Sequence, residues 1–282
     1  MNPTSVKDVK HFLNQHKLAP LKKLGQNFLV DANITAKIAQ SAGTANADCV
    51  FEIGTGLGAL TRALCATFGQ VVSIELDHGL YACYGELLAD LPNATLLQGD
   101  ALETNLQEVG EKFFKDAAFH VCGNLPYYIT SKLLLHILES GAPIASATFM
   151  VQKEVAQRLA AAPGDPDYGA LTASLCYYAR PQILFNVSKN CFYPAPDVDS
   201  SIIQFIPASP PHFDVARADY TRIVRAAFAM RRKTIFNNLK ALAGADAARA
   251  ALHQAEIPEN ARAQDLAPNQ YATIARNMKD LQ

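Results

Sequence analysis

The chain has 282 residues, room for one large domain or two smaller ones, and with half of them hydrophobic and 18% charged it builds a core rather than a disordered chain. No apolar run nears the ~18 residues of a membrane span, and the N-terminus sets Lys7, Asp8, Lys10 and Lys17 among polar residues where a secretory signal would be apolar, so a cytoplasmic protein is expected. A net charge of −1 excludes a uniformly basic nucleic-acid binder, but residues 1–40 and 208–282 each carry +4 around a middle, residues 41–120, of −8, which leaves two local places for a polyanion.

In chain order, residues 48–53 read as a strand that runs into a glycine-rich turn, followed by Leu57, Leu60, Leu64 and Phe68 at helical spacing. Residues 70–75 form a second strand and 78–90 a helix; 94–98 form a third strand that stops at Gly99-Asp100. A fourth strand over 118–122 ends at Gly123-Asn124, then 131–139 is helical and 147–151 is another strand. Strands alternating with helices define an α/β domain with a largely parallel sheet. The proline-rich stretch 207–212 marks a linker, after which 220–239 and 241–255 are alanine-rich helices, with Pro258 and Pro268 as later breaks. Two domains are therefore expected, over 1–206 and 207–282. The cysteines (Cys49, Cys65, Cys83, Cys122, Cys176 and Cys191) form no C-x-x-C pair and the histidines no ligand pair, which predicts reduced thiols and no metal site.

Gly54-Thr55-Gly56-Leu57-Gly58 lies where a strand hands over to a helix, where glycines let the backbone turn tightly and approach a ligand. Glu75, 21 residues after Gly54 at the end of the next strand, is placed to accept two ribose hydroxyls. The same spacing satisfies the dinucleotide fingerprint, so a nucleoside-type cofactor follows while NAD and S-adenosylmethionine both stay open. Asp100, at the carboxyl end of the third strand, favours the latter if it takes the exocyclic amine of an adenine. For a lone Gly-Asp pair, a turn-capping aspartate is the more common reading.

The fourth strand ends in Asn124-Leu125-Pro126-Tyr127, which resembles the signature of methyltransferases acting on planar amino groups. An amine such as adenine N6 is a poor nucleophile because its lone pair is delocalised. Acceptance of its hydrogens by the Asn124 side-chain oxygen and the Leu125 carbonyl pulls it toward a pyramidal geometry. Pro126 sets the turn and brings no competing N–H, and Tyr127 offers a face on which an extruded base stacks.

Further segments at 24–31, 150–159, 168–169, 192–200 and 228–234 follow in order, and with the glycine loop and Asn-Leu-Pro-Tyr they resemble the small-subunit ribosomal RNA adenine N6,N6-dimethyltransferases over essentially residues 20–240. The resemblance implies a Rossmann-like class I S-adenosylmethionine-dependent methyltransferase sheet with a small C-terminal all-helical domain. It implies dimethylation of two adjacent adenosines near the 3′ end of 16S rRNA, within the 30S particle or its precursor, by a monomer that yields S-adenosylhomocysteine and needs neither metal nor membrane. Carried over by motif, the cofactor contacts are Asn27, Leu29, Gly54, Gly56, Glu75, Asp100 and Asn124. The target adenine falls to Asn124, Leu125 and Tyr127, with Phe192 packing against it. Lys153 stands where many relatives have arginine, which keeps a cation for phosphate but loses the planar fork. The sulfonium methyl is already activated, so catalysis is mostly positioning, a contribution of ~7–11 kcal/mol at near-attack geometry. No residue stands out as a general base.

For RNA, Lys22 and Lys23 precede the Gln26-Asn27-Phe28 segment, and Arg222, Arg225, Arg231, Arg232 and Lys233 form the densest basic run. Arg222, Arg225 and Arg232, at spacings of three and seven, fall on one face of the predicted helix and are expected to grip rRNA backbone by shape. An N6-adenine DNA methyltransferase or a protein-amide methyltransferase would share the Asn-Leu-Pro-Tyr site but leave residues 192–200 and the basic helical domain unused. An RNA-binding assembly factor without turnover would have no need of the intact glycine loop, Glu75 and Asp100. A dehydrogenase would have no use for residues 124–127.

Overall fold

The computed structural model describes residues 1–21, 24–43, 48–126, 129–208 and 213–279. The chain folds as two compact units, the first Met1–Ala156 with Gln182–Ile206 and the second Gln157–Pro181 with Pro207–Gln282. The expected division at 206/207 is met by one excursion it did not include, because residues 157–181 belong with the helical unit.

Unit 1 runs α1 (Val6–Gln15), β1 (Phe28–Leu29), α2 (Ala32–Ala42), β2 (Cys49–Ile53), α3 (Ala59–Thr67), β3 (Gln70–Glu75), α4 (His78–Tyr81) and α5 (Tyr84–Leu87). It continues with β4 (Ala94–Gln98), α6 (Leu106–Phe114), β5 (Phe119–Asn124), α7 (Thr130–Glu139), β6 (Ile144–Gln152), α8 (Lys153–Leu159), which runs on into unit 2, then β7 (Pro181–Val187), β8 (Phe192–Tyr193) and β9 (Ser200–Phe205). A seven-stranded sheet has the order β4-β3-β2-β5-β6-β9-β7, and β1 pairs with β8 in a separate antiparallel ribbon. Strands β2 to β6 are parallel and β9 is antiparallel to β6. The sheet is thus mixed, as expected of a largely parallel one, with its antiparallel part in strands that the apolar pattern did not reveal.

The parallel strands read as nearly unbroken apolar runs because both of their faces are covered. On one face Ile38, Ala39 and Ala42 of α2 and Leu60 and Leu64 of α3 pack on Val50, Val71, Cys122 and Met150. On β5, Phe119 meets Phe114 of α6, with ring centroids 4.9 Å apart. The expected helix over 78–90 is two short ones; i,i+3 bonds from Cys83 N–H to Leu80 O and from Glu86 N–H to Cys83 O interrupt it, in a stretch weakened by Gly79 and Gly85.

Chain order turns outward through β3 and β4 on one side of β2 and through β5 and β6 on the other, so the topological switch point lies between β2 and β5, where α/β sheets bind ligands. There Ile53 pairs with both Ile74 and Gly123, which sets the glycine loop between the ends of β3 and β5.

Unit 2 contains α9 (Ala170–Leu175), α10 (Arg217–Ala227), α11 (Ile235–Ala243), α12 (Ala245–Gln254) and α13 (Pro268–Lys279). Its core gathers Tyr168, Tyr177, Tyr220, Tyr271, Ile223, Leu239, Leu252 and Ile274. Buried phenols need partners: Tyr220 Oη donates to Ala173 O at 2.8 Å and Tyr177 Oη to Val215 O at 2.9 Å. These tyrosines explain why residues 157–181 join this unit.

The helix expected over 220–239 is interrupted. Thr234 caps α11 by accepting from Asn237 N–H at 3.3 Å, and the buried Asn238 amide donates to the terminal carbonyls of Ala227 (2.6 Å) and Met230 (3.3 Å). A cap of this kind rewards a helix start at 235 over continuation. Arg232 therefore does not share a helical face with Arg222 and Arg225; Arg231, Arg232 and Lys233 stand exposed in the turn between α10 and α11. The expected start of the next helix at 241 moves to 245, because Gly244 with φ +86° ends α11.

Candidate active site

At the switch point a cleft opens at the carboxyl ends of β2, β3, β4 and β5. Its walls include Asn27, Gly54, Gly56, Glu75, Asp100 and Asn124, with apolar surface from Ile74, Leu76, Ala101, Pro126 and Ile129; its empty space, open mouth included, is about 730 Å³. Gly54, Gly56 and Gly58 have φ of +81°, +57° and +79°, the left-handed region that glycine alone enters freely, so the loop exposes backbone where other residues would be strained.

Glu75 is the most elaborately held residue of the cleft. Its Oε2 accepts from Gly56 N–H and its Oε1 from Asp77 N–H, both at 2.9 Å, and the Tyr84 hydroxyl lies 3.4 Å from Oε2. Burial raises its pKa, and the backbone N–H bonds act against that rise. Asp77 in turn caps α4 and accepts from Gln26 Nε2 at 2.8 Å, so Gln26 ties the N-terminal segment to this wall. Asp100 accepts from Leu102 N–H at 2.8 Å through Oδ1 and also lines the cleft.

Across the cleft, Asn124 Nδ2 donates to Asn27 O at 3.0 Å, which engages the amide's donor and turns Oδ1 to the role of acceptor. Leu125 N–H bonds Met150 O at 3.1 Å, and Thr130 Oγ1 and Ile129 N–H both donate to Pro126 O, so the turn after β5 is pinned on both sides.

The residues singled out in the sequence thus meet in part. Asn27, Gly54, Gly56, Glu75, Asp100 and Asn124 share the cleft, and the buried Leu125 adjoins it. Leu29 and Phe192 pair across the β1–β8 ribbon and sit together in the core cluster, behind the residues that line the cleft. Tyr127, Lys22 and Lys23 lie outside the described residues. Lys153 is exposed at the start of α8, its N–H bonded to Asp199 O at 3.0 Å. On unit 2, Arg222 lies 3.6 Å from Asp219, one turn away, and Arg225 is exposed. Among the described residues no group of three or more His, Cys, Asp or Glu is placed to hold a metal.

Several participants escaped the sequence reading. Leu76, directly after Glu75, is 41% exposed on the cleft wall, and Tyr84 braces Glu75. Glu52 is fully buried beneath the glycine loop, accepting from Thr61 Oγ1 and bonded to Ser73 Oγ. A carboxylate inside an apolar strand was the available signal.

The residues present fit a nucleoside cofactor: a buried carboxylate at the end of β3 ready to accept a diol, a second carboxylate just past β4, an apolar wall between them, and a loop that brings Gly54 and Gly56 to the cleft without side chains to obstruct it. With the sheet order above, they define a class I S-adenosylmethionine-dependent methyltransferase. The chain matches the family described as ribosomal RNA adenine dimethylase over residues 20–280, and it belongs to that family. It is 42% identical to the "Ribosomal RNA small subunit methyltransferase A" of Moorella thermoacetica, over 93% of each chain. It is 40% identical to the protein of the same name from Pelotomaculum thermopropionicum, over 96% of each. The solved structure of the 23S rRNA methyltransferase ErmE aligns with a TM-score of 0.70 and 28% identity, covering 90% of this chain and 100% of that one. The activity is therefore S-adenosylmethionine-dependent dimethylation of adenine in ribosomal RNA.

Proposed function

We propose that the chain methylates N6 of two adjacent adenosines near the 3′ end of the small-subunit 16S rRNA, each to N6,N6-dimethyladenosine, within the 30S particle or its precursor. The reading has it act as a cytoplasmic monomer during small-subunit assembly and release S-adenosylhomocysteine. The observation that carries it is the small-subunit activity in the names of relatives at 40% and 42% identity that span nearly the whole chain.

When bound, S-adenosylmethionine supplies a methyl group already activated on a sulfonium. In this reading Glu75 accepts the ribose hydroxyls, Asp100 accepts the adenine amine, and Gly54, Gly56 and Asn27 approach the cofactor through backbone and amide. Asn124 Oδ1 and the Leu125 carbonyl accept the two hydrogens of the target amine, and Tyr127 stacks on the base. Leu29 and Phe192 serve as the ribbon that holds Asn27 and Phe28 at the cleft, a supporting part rather than direct packing on the adenine. The pinned turn after β5 supports this division of labour, because acceptors fixed before the substrate arrives need not be reorganised during transfer.

The helical domain is read as the rRNA-contacting part. Arg222 and Arg225 on α10, with Arg231, Arg232 and Lys233 in the turn that follows, meet the backbone, and Lys153, Lys22 and Lys23 add cations from the other domain. The fold shared with ErmE makes the choice of subunit the point to test. Unmodified 30S subunits, unmodified 50S subunits and naked 16S rRNA are offered to the protein with labelled cofactor, and the modified positions are mapped. Label confined to adjacent adenosines near the 3′ end of 16S rRNA is expected; preferential labelling of 23S rRNA would overturn the reading.

A further inference from the structure

Residues 24–28 line the cleft and are fastened to two of its walls. On one side Gln26 Nε2 donates to Asp77 Oδ2 at 2.8 Å, and Asp77 N–H donates in turn to Glu75 Oε1 at 2.9 Å. On the other, Asn27 O accepts from Asn124 Nδ2 at 3.0 Å. Hydrogen bonds and one peptide link thus run from Glu75 through Asp77, Gln26 and Asn27 to Asn124.

The side-chain amide of Asn124 has a donor end and an acceptor end, and a bond to one decides where the other points. The Asn27 carbonyl holds the donor end, so the place of that carbonyl sets the direction of Oδ1. Downstream of Asn27, the pairing of Phe28 with Tyr193 fixes the chain. Upstream, Gln26 fixes it with both ends of its own amide: Oε1 accepts from Leu21 N–H at 2.8 Å while Nε2 reaches Asp77. Asp77 is itself held, because its Oδ1 caps α4 by accepting from Gly79 N–H at 2.8 Å.

We propose that Gln26 is a positioning residue for Asn124: anchored on Asp77, it places the Asn27 carbonyl that turns the Asn124 amide oxygen toward the target amine. The proposal rests on the reading of Asn124 as an acceptor for that amine. It makes one side chain the tie between the wall that holds the cofactor and the wall that holds the base.

The polarity of the Gln26–Asp77 bond supplies the test, because it can be reversed. In Gln26→Glu two carboxylates oppose each other. In Asp77→Asn the new amide keeps its oxygen on Gly79 N–H and turns its nitrogen toward Gln26 Nε2, so two donors oppose each other. The double variant Gln26→Glu/Asp77→Asn satisfies every group again: the carboxylate accepts from Leu21 N–H and from the amide at position 77, whose oxygen still caps α4.

Single-turnover methyl transfer to unmodified 30S subunits at saturating S-adenosylmethionine is compared with S-adenosylhomocysteine affinity by calorimetry, and denaturation checks the fold of each variant. Each single variant is expected to lose about tenfold or more in rate, set against the ~10²-fold that a displacement near 1 Å costs. The loss in affinity is smaller, since Glu75 keeps its backbone donors Gly56 and Asp77. The double variant recovers most of the wild-type rate. A folded Gln26→Glu at the wild-type rate, or a folded double variant no faster than the single ones, would overturn the proposal. So would a loss that saturating cofactor abolishes, which would leave Gln26 a part in cofactor binding alone. Gln26→Ala removes the bond without adding repulsion and serves where a single variant does not fold. Asn124→Ala at the wild-type rate would instead remove the reading beneath the proposal.

Discussion

Replacement of Gly123 by alanine tests the claim that the approach of β2 and β5 sets the cleft. A Cβ built at Gly123 would lie 2.5 Å from the carbonyl oxygen of Ile53, where ordinary contact begins near 3.4 Å. The shortfall is about 0.9 Å against backbone, not against the movable end of a side chain. Gly123 is free of positive φ, so the conflict is one of space alone. Overpacking of this kind costs ~1–3 kcal/mol, and the upper end applies because neither partner can rotate away. The next residue is Asn124 and the partner strand leads directly into Gly54, so strand separation moves the two walls of the cleft apart. A displacement near 1 Å lowers the rate of a positioned reaction by about 10²-fold. Urea denaturation and single-turnover methyl transfer read the two effects. Gly85→Ala is the control, since nothing lies within 4 Å of its Cβ in α5. Wild-type stability together with wild-type rate in Gly123→Ala would refute the reasoning.

Glu52→Gln alters stability against pH. The pKa of Glu52 is raised in the folded state from 4.5 to about 7, so wild type is most favoured below 4.5 and loses up to about 3 kcal/mol as pH rises through 7; the variant lacks that decline, and equal losses in both between pH 4 and 8 would count against it. Asn238→Ala removes the donor to Ala227 O and Met230 O and is expected to cost ~1–3 kcal/mol in denaturant, with faster amide exchange over residues 228–234. The double variant Arg222→Ala/Arg225→Ala is expected to reduce the slope of log affinity for rRNA against log salt by ~1–2. An unchanged slope would remove both residues from the RNA contact.

The cleft was legible because its residues are fixed by chain order. Gly54, Glu75, Asp100 and Asn124 stand at or just past the carboxyl ends of four adjacent parallel strands, and those strands announce themselves as apolar runs bounded by glycine or polar turns. What depends on partners distant in sequence was not legible. The ribbon of β1 and β8 has two residues on each side and no period to detect, and β7 and β9 give no clear alternation. The break between α10 and α11 is written in Thr234 and Asn238, but an alanine-rich helical pattern on both sides masks it. Residues 157–181 join the helical unit because Tyr168 and Tyr177 are buried with Tyr220, pairings across about 40 to 50 residues that no local pattern carries.

The central claim is that the Glu75–Asp100–Asn124 cleft carries the chemistry, and one measurement meets it directly. Unmodified small ribosomal subunits are incubated with labelled S-adenosylmethionine and either wild type or Asn124→Ala, and the digested rRNA is analysed by mass. The account predicts N6,N6-dimethyladenosine with wild type and its disappearance with the variant, while both proteins retain the same fold by denaturation. Dimethyladenosine formed at the wild-type rate by a folded Asn124→Ala would contradict it.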